Sequence, residues 1–250
     1  MNLDDKVAII TGSSKGIGKA IAERFCKQGA KVVISSRKQE ACEEVAFDLK
    51  GKGYEATGIE CHVGDDLQRQ SLVEKTIQAY GKIDVLVNNA AINPVFGPIE
   101  DVEDVAFDKI INVNVKSVWS LSNLVLPHMI ENNGGSIINV SSVEGLHPGF
   151  GLGLYSMSKA AVIMLTKNQA KEWGKHQVRC NVICPGLVKT KFSQALWSNE
   201  KILDHLEESI PSGRMAMPEE MTGLALLLAS DDGSYMTGGV YTADGGYLVK

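Results

Sequence analysis

A tyrosine and a lysine four residues apart have the spacing of an acid–base pair. Tyr155 and Lys159 would lie on one face of a helix, with the phenol and the ammonium pointing into the same space. A free phenol loses its proton near pH ~10, and a fixed cation close by lowers that pKa. The pair could therefore exchange a proton with a substrate oxygen. The same spacing is common on solvated helix faces, so its interpretation depends on the rest of the chain.

A glycine-rich turn between the first predicted strand and the first predicted helix is typical of a dinucleotide-binding loop. Its glycines have the order Gly-x-x-x-Gly-x-Gly. Glycine lets the backbone approach a pyrophosphate, whose charge is stabilised by the free N–H groups at the start of the helix. The residues predicted to contact a dinucleotide here are Gly12, Ser14, Lys15, Gly16, Ile17 and Gly18.

The end of the second predicted strand indicates which dinucleotide binds. Ser36, Arg37 and Lys38 stand where an NAD-preferring site usually carries a carboxylate for the ribose 2′-hydroxyl. A carboxylate would repel a 2′-phosphate, whereas a hydroxyl and a guanidinium would bind it, and Lys15 could add a further positive charge. The sequence therefore predicts NADP(H) as the cofactor, and no metal. The alternative is a solvated Arg-Lys start to the next helix.

Short apolar strands alternate with helical segments along the whole chain. Most of the strands are continuous apolar runs, as expected for strands that are buried on both faces. The predicted strands span 7–11, 31–35, 55–61, 83–88, 136–140, 179–184 and 240–242, and the predicted helices span 16–28, 39–51, 66–80, 103–131, 154–175 and 218–230. This alternation predicts one α/β domain over residues 1–250. Its expected architecture is a Rossmann-like, doubly wound parallel sheet of about seven strands with helices on both faces.

Composition and charge argue against several classes of protein. A net charge of −5 disfavours a nucleic-acid partner or an anionic membrane surface. No apolar stretch approaches the length that spans a bilayer, and the first residues lack a signal-peptide pattern. The five cysteines are odd in number and scattered, which is typical of reduced packing residues. We therefore expect a cytoplasmic protein.

With these residues identified, the chain resembles the short-chain dehydrogenase/reductase family over nearly its whole length. Residues 11–18 match the family's cofactor loop, and residues 88–91 match the segment after the fourth strand, with Ala91 where glycine is commoner. Ser142, Tyr155 and Lys159 match the catalytic positions, and Asn114 matches an asparagine that holds a proton-relay water. The remaining cofactor contacts that the resemblance implies are Val63, Asn89, Ala90, Pro185, Gly186, Val188 and Thr190.

The resemblance also implies a role for each catalytic residue. Tyr155 would donate a proton to the substrate oxygen during reduction or remove it during oxidation. Ser142, rather than the neighbouring Ser141, would hydrogen-bond the same oxygen. Lys159 would bind the nicotinamide ribose and lower the pKa of the tyrosine, and Asn114 with a water would connect it to solvent. The expected reaction is hydride transfer between NADP(H) and a carbonyl or alcohol substrate.

Two residues depart from the family pattern. His62 follows the third strand, where most of the family has Asp, and it could face the adenine or be a partly buried histidine without a ligand. Glu144 stands two residues after Ser142, where a small apolar residue is common, and it could line the substrate pocket or point to water. The sequence leaves both alternatives open.

Four segments are similar to one subgroup of the family, the NADP-dependent carbonyl reductases and retinol dehydrogenases of animal peroxisomes. These segments are 35–38, 61–64, 93–97 and 186–190. That subgroup usually ends in a peroxisomal address, which residues 247–250 do not carry. A cytoplasmic relative is therefore the expectation.

Two further expectations concern the substrate and the assembly. The family places a mobile lid over the substrate at about residues 191–213, and the apolar side chains there favour an apolar ketone or aldehyde. These side chains are Phe192, Leu196, Trp197, Ile202, Leu206 and Ile210, and ordinary core packing of an amphipathic helix is the alternative. The predicted helices 103–131 and 154–175 are apolar enough to form a large exposed patch, which usually indicates a partner surface. The resemblance implies a homotetramer, a dimer of dimers, because family members bury these helices in a dimer and form a second interface near the C-terminus.

The leading hypothesis is an NADPH-dependent carbonyl reductase that can also oxidise alcohols. A 3-oxoacyl-[acyl-carrier-protein] reductase would share every catalytic motif, but it would need a basic patch for its acidic carrier, and Lys191 and Lys201 are a weak case for one. A non-catalytic NADP(H)-binding regulator is the alternative from another class. The chain keeps all four catalytic positions, which argues against it.

Overall fold

The computed structural model describes residues 1–249, leaving aside the side chain of Ile202. At its centre is a seven-stranded sheet in which neighbouring strands are parallel. The strands are β1 (Val7–Thr11), β2 (Lys31–Ser36), β3 (Ala56–Glu60), β4 (Val85–Asn88), β5 (Gly135–Val140), β6 (Val178–Pro185) and β7 (Val240–Ala243). Their spatial order is β3-β2-β1-β4-β5-β6-β7.

Helices connect the strands and cover both faces of the sheet. They are α1 (Gly16–Cys26), α2 (Gln39–Gly51), α3 (Asp66–Tyr80), α4 (Asp104–Ile110), α5 (Ser117–Glu131), α6 (Gly153–Trp173), α7 (Gln194–Trp197), α8 (Glu200–Glu208) and α9 (Thr222–Ala229). A π-helical segment, Ile111–Lys116, joins α4 to α5, and a 3₁₀ turn, Val143–Gly145, follows β5.

The sheet separates two hydrophobic cores because successive side chains of a strand point to opposite faces. On β1, Ile10 belongs to the core that contains Phe25 of α1 and Leu49 of α2. Its neighbour Ile9 belongs to the other core, which contains Leu72 of α3. All five residues of β1 are buried, which explains why the strand is a continuous apolar run in the sequence.

The strand order reverses between β1 and β4. From β1 the chain passes through α1 to β2 on one side, while β4 pairs with the other edge of β1 and continues to β5. In a doubly wound sheet this reversal opens a crevice outside the carboxyl ends of the two strands. The glycine-rich turn after β1 and the asparagine segment after β4 both lie at this crevice.

The predicted fold class is confirmed, and all seven predicted strands occur with ends shifted by at most two residues. The predicted single helix over 103–131 is wrong in one respect, because its middle is π-helical rather than α-helical. The five cysteines are buried and free, as predicted. Within residues 1–249, no helix combines the length and the hydrophobicity that crossing a bilayer requires.

The packing of α2 on β3 leaves no room for a side chain at Gly58. A Cβ added there would stand 2.7 Å from the backbone carbon of Cys42 in α2, whereas one added at Gly51, the last residue of α2, would meet nothing within 4 Å. We expect Gly58→Ala to lower the free energy of unfolding by about 1–3 kcal/mol through overpacking. Gly51→Ala should be neutral or stabilising by up to about 1 kcal/mol. Urea denaturation of both variants tests this, and equal stabilities would contradict it.

Candidate active site

Tyr155 and Lys159 share one face of α6, as predicted. Lys159 is 3% exposed, and its Nζ donates a hydrogen bond of 2.9 Å to the carbonyl oxygen of Val140. The same Nζ lies 5.6 Å from the centroid of the Tyr155 ring. Because Val140 is the last residue of β5, this contact fixes α6 against the carboxyl end of the sheet. The phenol and the ammonium are thereby held at the edge that carries the crevice.

Ser142 rather than Ser141 reaches the tyrosine. The Ser142 hydroxyl oxygen accepts the Glu144 N–H at 3.1 Å, and the hydroxyl is hydrogen-bonded to the Tyr155 phenol. Ser141 is turned away, because its Oγ donates to the carbonyl oxygen of Lys159 at 2.8 Å. A serine hydroxyl that already accepts one hydrogen bond still has its own proton to donate. Ser142 and Tyr155 are therefore placed so that both could hydrogen-bond to the same substrate oxygen.

The pKa of Tyr155 differs from the sequence-based expectation. Burial raises it well above its ordinary value; the hydrogen bond with Ser142 opposes this rise, and the Glu144 carboxylate adds to it. Burial is the largest of these effects, so in the chain by itself the pKa of Tyr155 lies above its ordinary value, whereas the sequence predicted a lower one. Burial also lowers the pKa of Lys159 to about 8, so the ammonium itself is close to titrating near neutral pH.

Asn114 lies in the π-helical segment, and its side chain ties the chain after β4 to α6. Its Oδ1 accepts the Ile92 N–H at 2.9 Å, and its Nδ2 donates to the Ile92 carbonyl at 2.9 Å and to Ser158 Oγ at 3.1 Å. Both N–H groups of the Asn114 amide are therefore occupied, one of them by Ser158, the residue before Lys159 on α6. A water that links Asn114 to Lys159 stays a prediction, and it would have to donate to Oδ1 or to the backbone carbonyl of Asn114.

The glycine-rich turn is locked to the segment after β4. Asn89 Nδ2 donates to the carbonyl oxygens of Thr11 at 2.8 Å and Gly12 at 3.3 Å, while Thr11 Oγ1 accepts the Ala90 N–H at 3.1 Å. A Cβ at Gly18 would stand 2.5 Å from Asn89 Nδ2. Gly12 and Gly18 therefore leave room for the Asn89 side chain. This packing role of the two glycines is not apparent from the sequence.

The start of α1 is open toward the crevice. Lys15 occupies the N-cap position without a side-chain cap, so no side chain satisfies the N–H groups of Gly16 and Ile17 from that position. Gly16 has φ +58°, and a Cβ there would lie 3.4 Å from Cγ2 of Thr190 across the crevice. Ser14 flanks the turn and is half-buried. An uncapped helix start in such a turn suits a phosphate group.

The end of β2 offers positive charge and hydroxyl groups. Arg37 and Lys38 are exposed, and neither forms an ion pair within the described part of the chain. Ser36 is held through its N–H and its hydroxyl by Cys42 Sγ, at 3.1 and 3.2 Å. The buried Ser35 Oγ has no hydrogen-bond partner among the described residues. Together with the uncapped start of α1, these groups fit a phosphorylated dinucleotide.

His62 shapes the loop after β3. Its Nδ1 accepts the Gly64 N–H at 3.1 Å, and its backbone N–H donates to Gln68 Oε1 at 2.7 Å. A ring nitrogen thus serves as the acceptor at a position where most of the family has Asp. The next residue, Val63, is buried and its carbonyl accepts a hydrogen bond from the buried Arg69. His62 therefore supports the loop from within, and a contact of Val63 with adenine stays a prediction.

The segment after β6 forms the far wall of the crevice. Pro185 ends the strand, and the Gly186 N–H donates to the last carbonyl of β7 at 3.0 Å. Val188 is 5% exposed, and the Thr190 carbonyl accepts Trp197 Nε1 at 2.9 Å. All four predicted cofactor residues of this segment are thus held in place by the backbone or by the lid.

The predicted lid at about 191–213 contains the two short helices α7 and α8. Phe192 precedes α7, is 56% exposed, and lies with its ring centroid 6.0 Å from that of Tyr155. Leu196, Trp197 and Leu206 are half-buried, Ile210 is buried, and the side chain of Ile202 lies outside the described residues. Core packing therefore accounts for Ile210, whereas Phe192 covers the tyrosine.

Two residues near Tyr155 were missed or left undecided. Glu144 is half-buried, accepts Ser156 Oγ at 3.2 Å, and is close enough for its charge to raise the pKa of Tyr155. Burial raises the pKa of Tyr247, and the Glu144 charge raises it further, which places Tyr247 at the same carboxylate. Nothing in the local sequence around Tyr247 signals this, because only the fold brings the end of the chain to α6.

These features define a doubly wound α/β protein with a tyrosine, serine and lysine beside a glycine-rich dinucleotide turn. The family model described as "Enoyl-(Acyl carrier protein) reductase" matches residues 12–248. The chain is 43% identical over 244 residues to dehydrogenase/reductase SDR family member 4 of Sus scrofa, covering 98% of this chain and 88% of that protein. It therefore belongs to the short-chain dehydrogenase/reductase family, and it is an oxidoreductase of that family.

Solved structures agree with this assignment. A short-chain type dehydrogenase/reductase from Mycobacterium marinum has a TM-score of 0.93 and 36% identity, with 100% of this chain and 98% of that chain covered. A gluconate 5-dehydrogenase from Burkholderia cenocepacia, in complex with NADP and tartrate, has a TM-score of 0.96 and 30% identity, with 100% and 97% covered.

Because the Lys159 ammonium is buried, we expect this residue to lower the free energy of unfolding. Its pKa is lowered from 10.5 to about 8, so the unfolded chain binds more protons between these values. Hence the contribution of this group to stability improves as pH rises through that window. At about pH 7, Lys159→Met should raise the free energy of unfolding by up to about 3 kcal/mol, less about 1 kcal/mol for the lost Val140 hydrogen bond.

Urea denaturation at about pH 7 and about pH 9.5 measures this effect, and the gain should shrink at the higher pH. The control is Lys167→Met, at an exposed position of the same helix, which should change stability little at either pH. A Lys159→Met protein that is less stable than the wild type at about pH 7 would show that the ammonium is adequately paired.

Proposed function

We propose that this oxidoreductase is an NADPH-dependent carbonyl reductase, able to act in reverse on alcohols, with an apolar ketone or aldehyde as substrate. The observation that carries the proposal is the hydrogen-bonded pair Ser142 and Tyr155, held beside the buried Lys159 ammonium at the crevice. The exposed ring of Phe192 over the tyrosine supports an apolar substrate.

Tyr155, Ser142 and Lys159 have separate roles in the proposed reaction. Tyr155 holds its proton because its pKa is raised, and it donates that proton to the carbonyl oxygen. Ser142, whose oxygen already accepts the Glu144 N–H, donates a hydrogen bond to the same oxygen and stabilises the charge that develops there. Lys159, whose Nζ lies 5.6 Å from the centroid of the Tyr155 ring, would bind the nicotinamide ribose. The nicotinamide, when bound, supplies the hydride in reduction and accepts it in oxidation.

The cofactor would bind along the crevice from the glycine turn to the segment after β6. Gly16 and Ile17 would bind the pyrophosphate through their N–H groups, and Arg37 and Lys38 would bind the 2′-phosphate. The relative from Burkholderia cenocepacia was crystallised with NADP, which supports the choice of this dinucleotide. Lys15 is exposed beside the turn and adds positive charge.

The runner-up, a reductase of acyl groups on a carrier protein, has less support. The matching family model carries such a description, but an acidic carrier needs a basic surface at the pocket mouth. The lid helix α8 instead carries Glu200, Asp204, Glu207 and Glu208 against one lysine, Lys201. A non-catalytic regulator is also disfavoured, because such a protein would not need the serine, tyrosine and lysine in contact geometry.

The cytoplasmic location and the homotetramer, a dimer of dimers, are part of this proposal. Trp119 on α5 and Met164 on α6 are 51% and 57% exposed, whereas Val118 and Leu121 are buried within the chain itself. The apolar surface that could be covered by a partner is therefore smaller than the sequence suggests. Sedimentation equilibrium would measure the assembly.

The tyrosine assignment is tested by removing the phenol oxygen. Tyr155→Phe should lower kcat for NADPH-dependent ketone reduction by at least about 10²–10⁴-fold, the usual contribution of a general acid. NADPH binding, followed by fluorescence titration, should change little because the ring remains. Tyr235→Phe, at an exposed position, is the matched control. Retained turnover in Tyr155→Phe would overturn the assignment.

The cofactor preference is tested at the end of β2. Arg37→Asp should lower the ratio of kcat/KM with NADPH to that with NADH by about tenfold or more, because it replaces a charge-assisted hydrogen bond by repulsion. Lys75→Asp, at an exposed position of α3, carries the same change of charge and should leave the ratio unchanged. If Arg37→Asp also leaves it unchanged, Arg37 does not contact a 2′-phosphate.

A further inference from the structure

The carboxylate of Glu144 is held next to Tyr155 and is only partly exposed. Its backbone N–H is bonded to Ser142 Oγ at 3.1 Å, and its side chain accepts Ser156 Oγ, one residue after Tyr155 on α6, at 3.2 Å. The Gly149 N–H also donates to it. The side chain is thus fixed from the 3₁₀ turn, from the start of α6 and from the loop between them.

Close packing confirms that Glu144 is held rather than free. A Cβ at Gly149 would collide with both carboxylate oxygens, so the absence of a side chain at Gly149 is what lets the loop fold over the carboxylate. Ser156 is 6% exposed, while Glu144 itself remains half-exposed. One side of the carboxylate is therefore bound to the protein, and the other side remains accessible.

The groups around this carboxylate leave its charge largely uncompensated. Tyr155, Tyr247 and His147 are the ionisable groups that interact with it. No lysine or arginine forms an ion pair with Glu144 within residues 1–249. Burial raises the pKa of Glu144, and the hydrogen bonds from Gly149 and Ser156 together with the charge of His147 offset only part of this rise. A poorly solvated carboxylate attracts a hydrogen-bond donor and repels another anion.

Resting on the proposed reductase function, we propose that Glu144 is a specificity-determining residue. It selects carbonyl compounds that carry a hydrogen-bond donor, a hydroxyl or a protonated amine, on the carbon next to the carbonyl, and it rejects those that carry a carboxylate there. Tyr155 would bind the carbonyl oxygen, and the Glu144 carboxylate is held by Ser156, the next residue on α6, so a substituent on the adjacent carbon would approach the carboxylate.

A matched series of aryl ketones, C6H5–CO–CH2–X, tests the proposal. Propiophenone has a methyl group at X, 2-hydroxyacetophenone a hydroxyl, 2-aminoacetophenone an ammonium and benzoylacetate a carboxylate. For the wild-type protein with NADPH, kcat/KM should be about tenfold or more higher for the hydroxyl and ammonium compounds than for propiophenone. For benzoylacetate it should be about tenfold or more lower.

The isosteric variant Glu144→Gln separates charge from shape. Because Glu144 also acts on Tyr155, the readout is the ratio of kcat/KM between substrates in one protein, in which a general change in rate cancels. In Glu144→Gln the benzoylacetate-to-propiophenone ratio should rise about tenfold, and the 2-aminoacetophenone-to-propiophenone ratio should fall about tenfold. Glu144→Asp should restore the direction of discrimination, and Glu172→Gln, an exposed change of the same charge, should leave both ratios as in the wild type.

The outcomes separate this inference from the function on which it rests. If propiophenone and the other ketones are reduced but Glu144→Gln keeps the wild-type ratios within twofold, Glu144 has a structural role only and the inference is overturned. If the wild type reduces none of the four ketones while Tyr155→Phe and the wild type behave alike, the proposed function fails, and the inference fails with it.

Discussion

The contact between the buried Lys159 ammonium and the last carbonyl of β5 decides where the active-site side chains lie. A buried cation must keep a partner, because an unpaired charge in a low-dielectric interior is far more costly than a paired one. Val140 provides that partner at 2.9 Å, and Ser141 binds the Lys159 backbone at 2.8 Å. Two consecutive residues thus anchor α6, and the third, Ser142, is left facing Tyr155.

A network of buried amides and hydroxyls makes this anchor rigid. Asn88 at the end of β4 donates to Asn139 Oδ1 at 2.9 Å, and Asn139 donates to Thr166 Oγ1 on α6 at 2.9 Å. Asn88 also reaches Ser122 on α5 at 3.2 Å. These residues are at most 3% exposed, so their hydrogen bonds act in a medium where misalignment is costly. Hydrogen bonds among β4, β5, α5 and α6 therefore hold the elements that carry Ser142 and Tyr155, which favours a preorganised site.

Local patterns in the sequence were sufficient for the sheet and for the approach of Tyr155 to Lys159, because strand burial and helical spacing are short-range properties. They could not give the π-helical segment around Asn114, since an apolar helix has the same composition whether its turns are α- or π-helical. They also gave the wrong direction for the pKa of Tyr155. The spacing reveals a neighbouring cation, whereas burial depends on Phe192 and the rest of the fold. Glu144 and Tyr247 meet only through the tertiary structure.

The groups around the phenol decide which protonation state Tyr155 has in the chain alone. A tyrosine whose pKa is raised is a proton donor throughout the neutral range, and reduction of a carbonyl requires a donor. Oxidation of an alcohol requires the phenolate, which burial and the Glu144 carboxylate both disfavour, while the nearest protein cation has itself a pKa of about 8. Above that pH the ammonium loses its charge before the phenol ionises, so raising the pH does not by itself prepare the base. In the chain alone, the charges around Tyr155 therefore keep the phenol in the form that donates a proton.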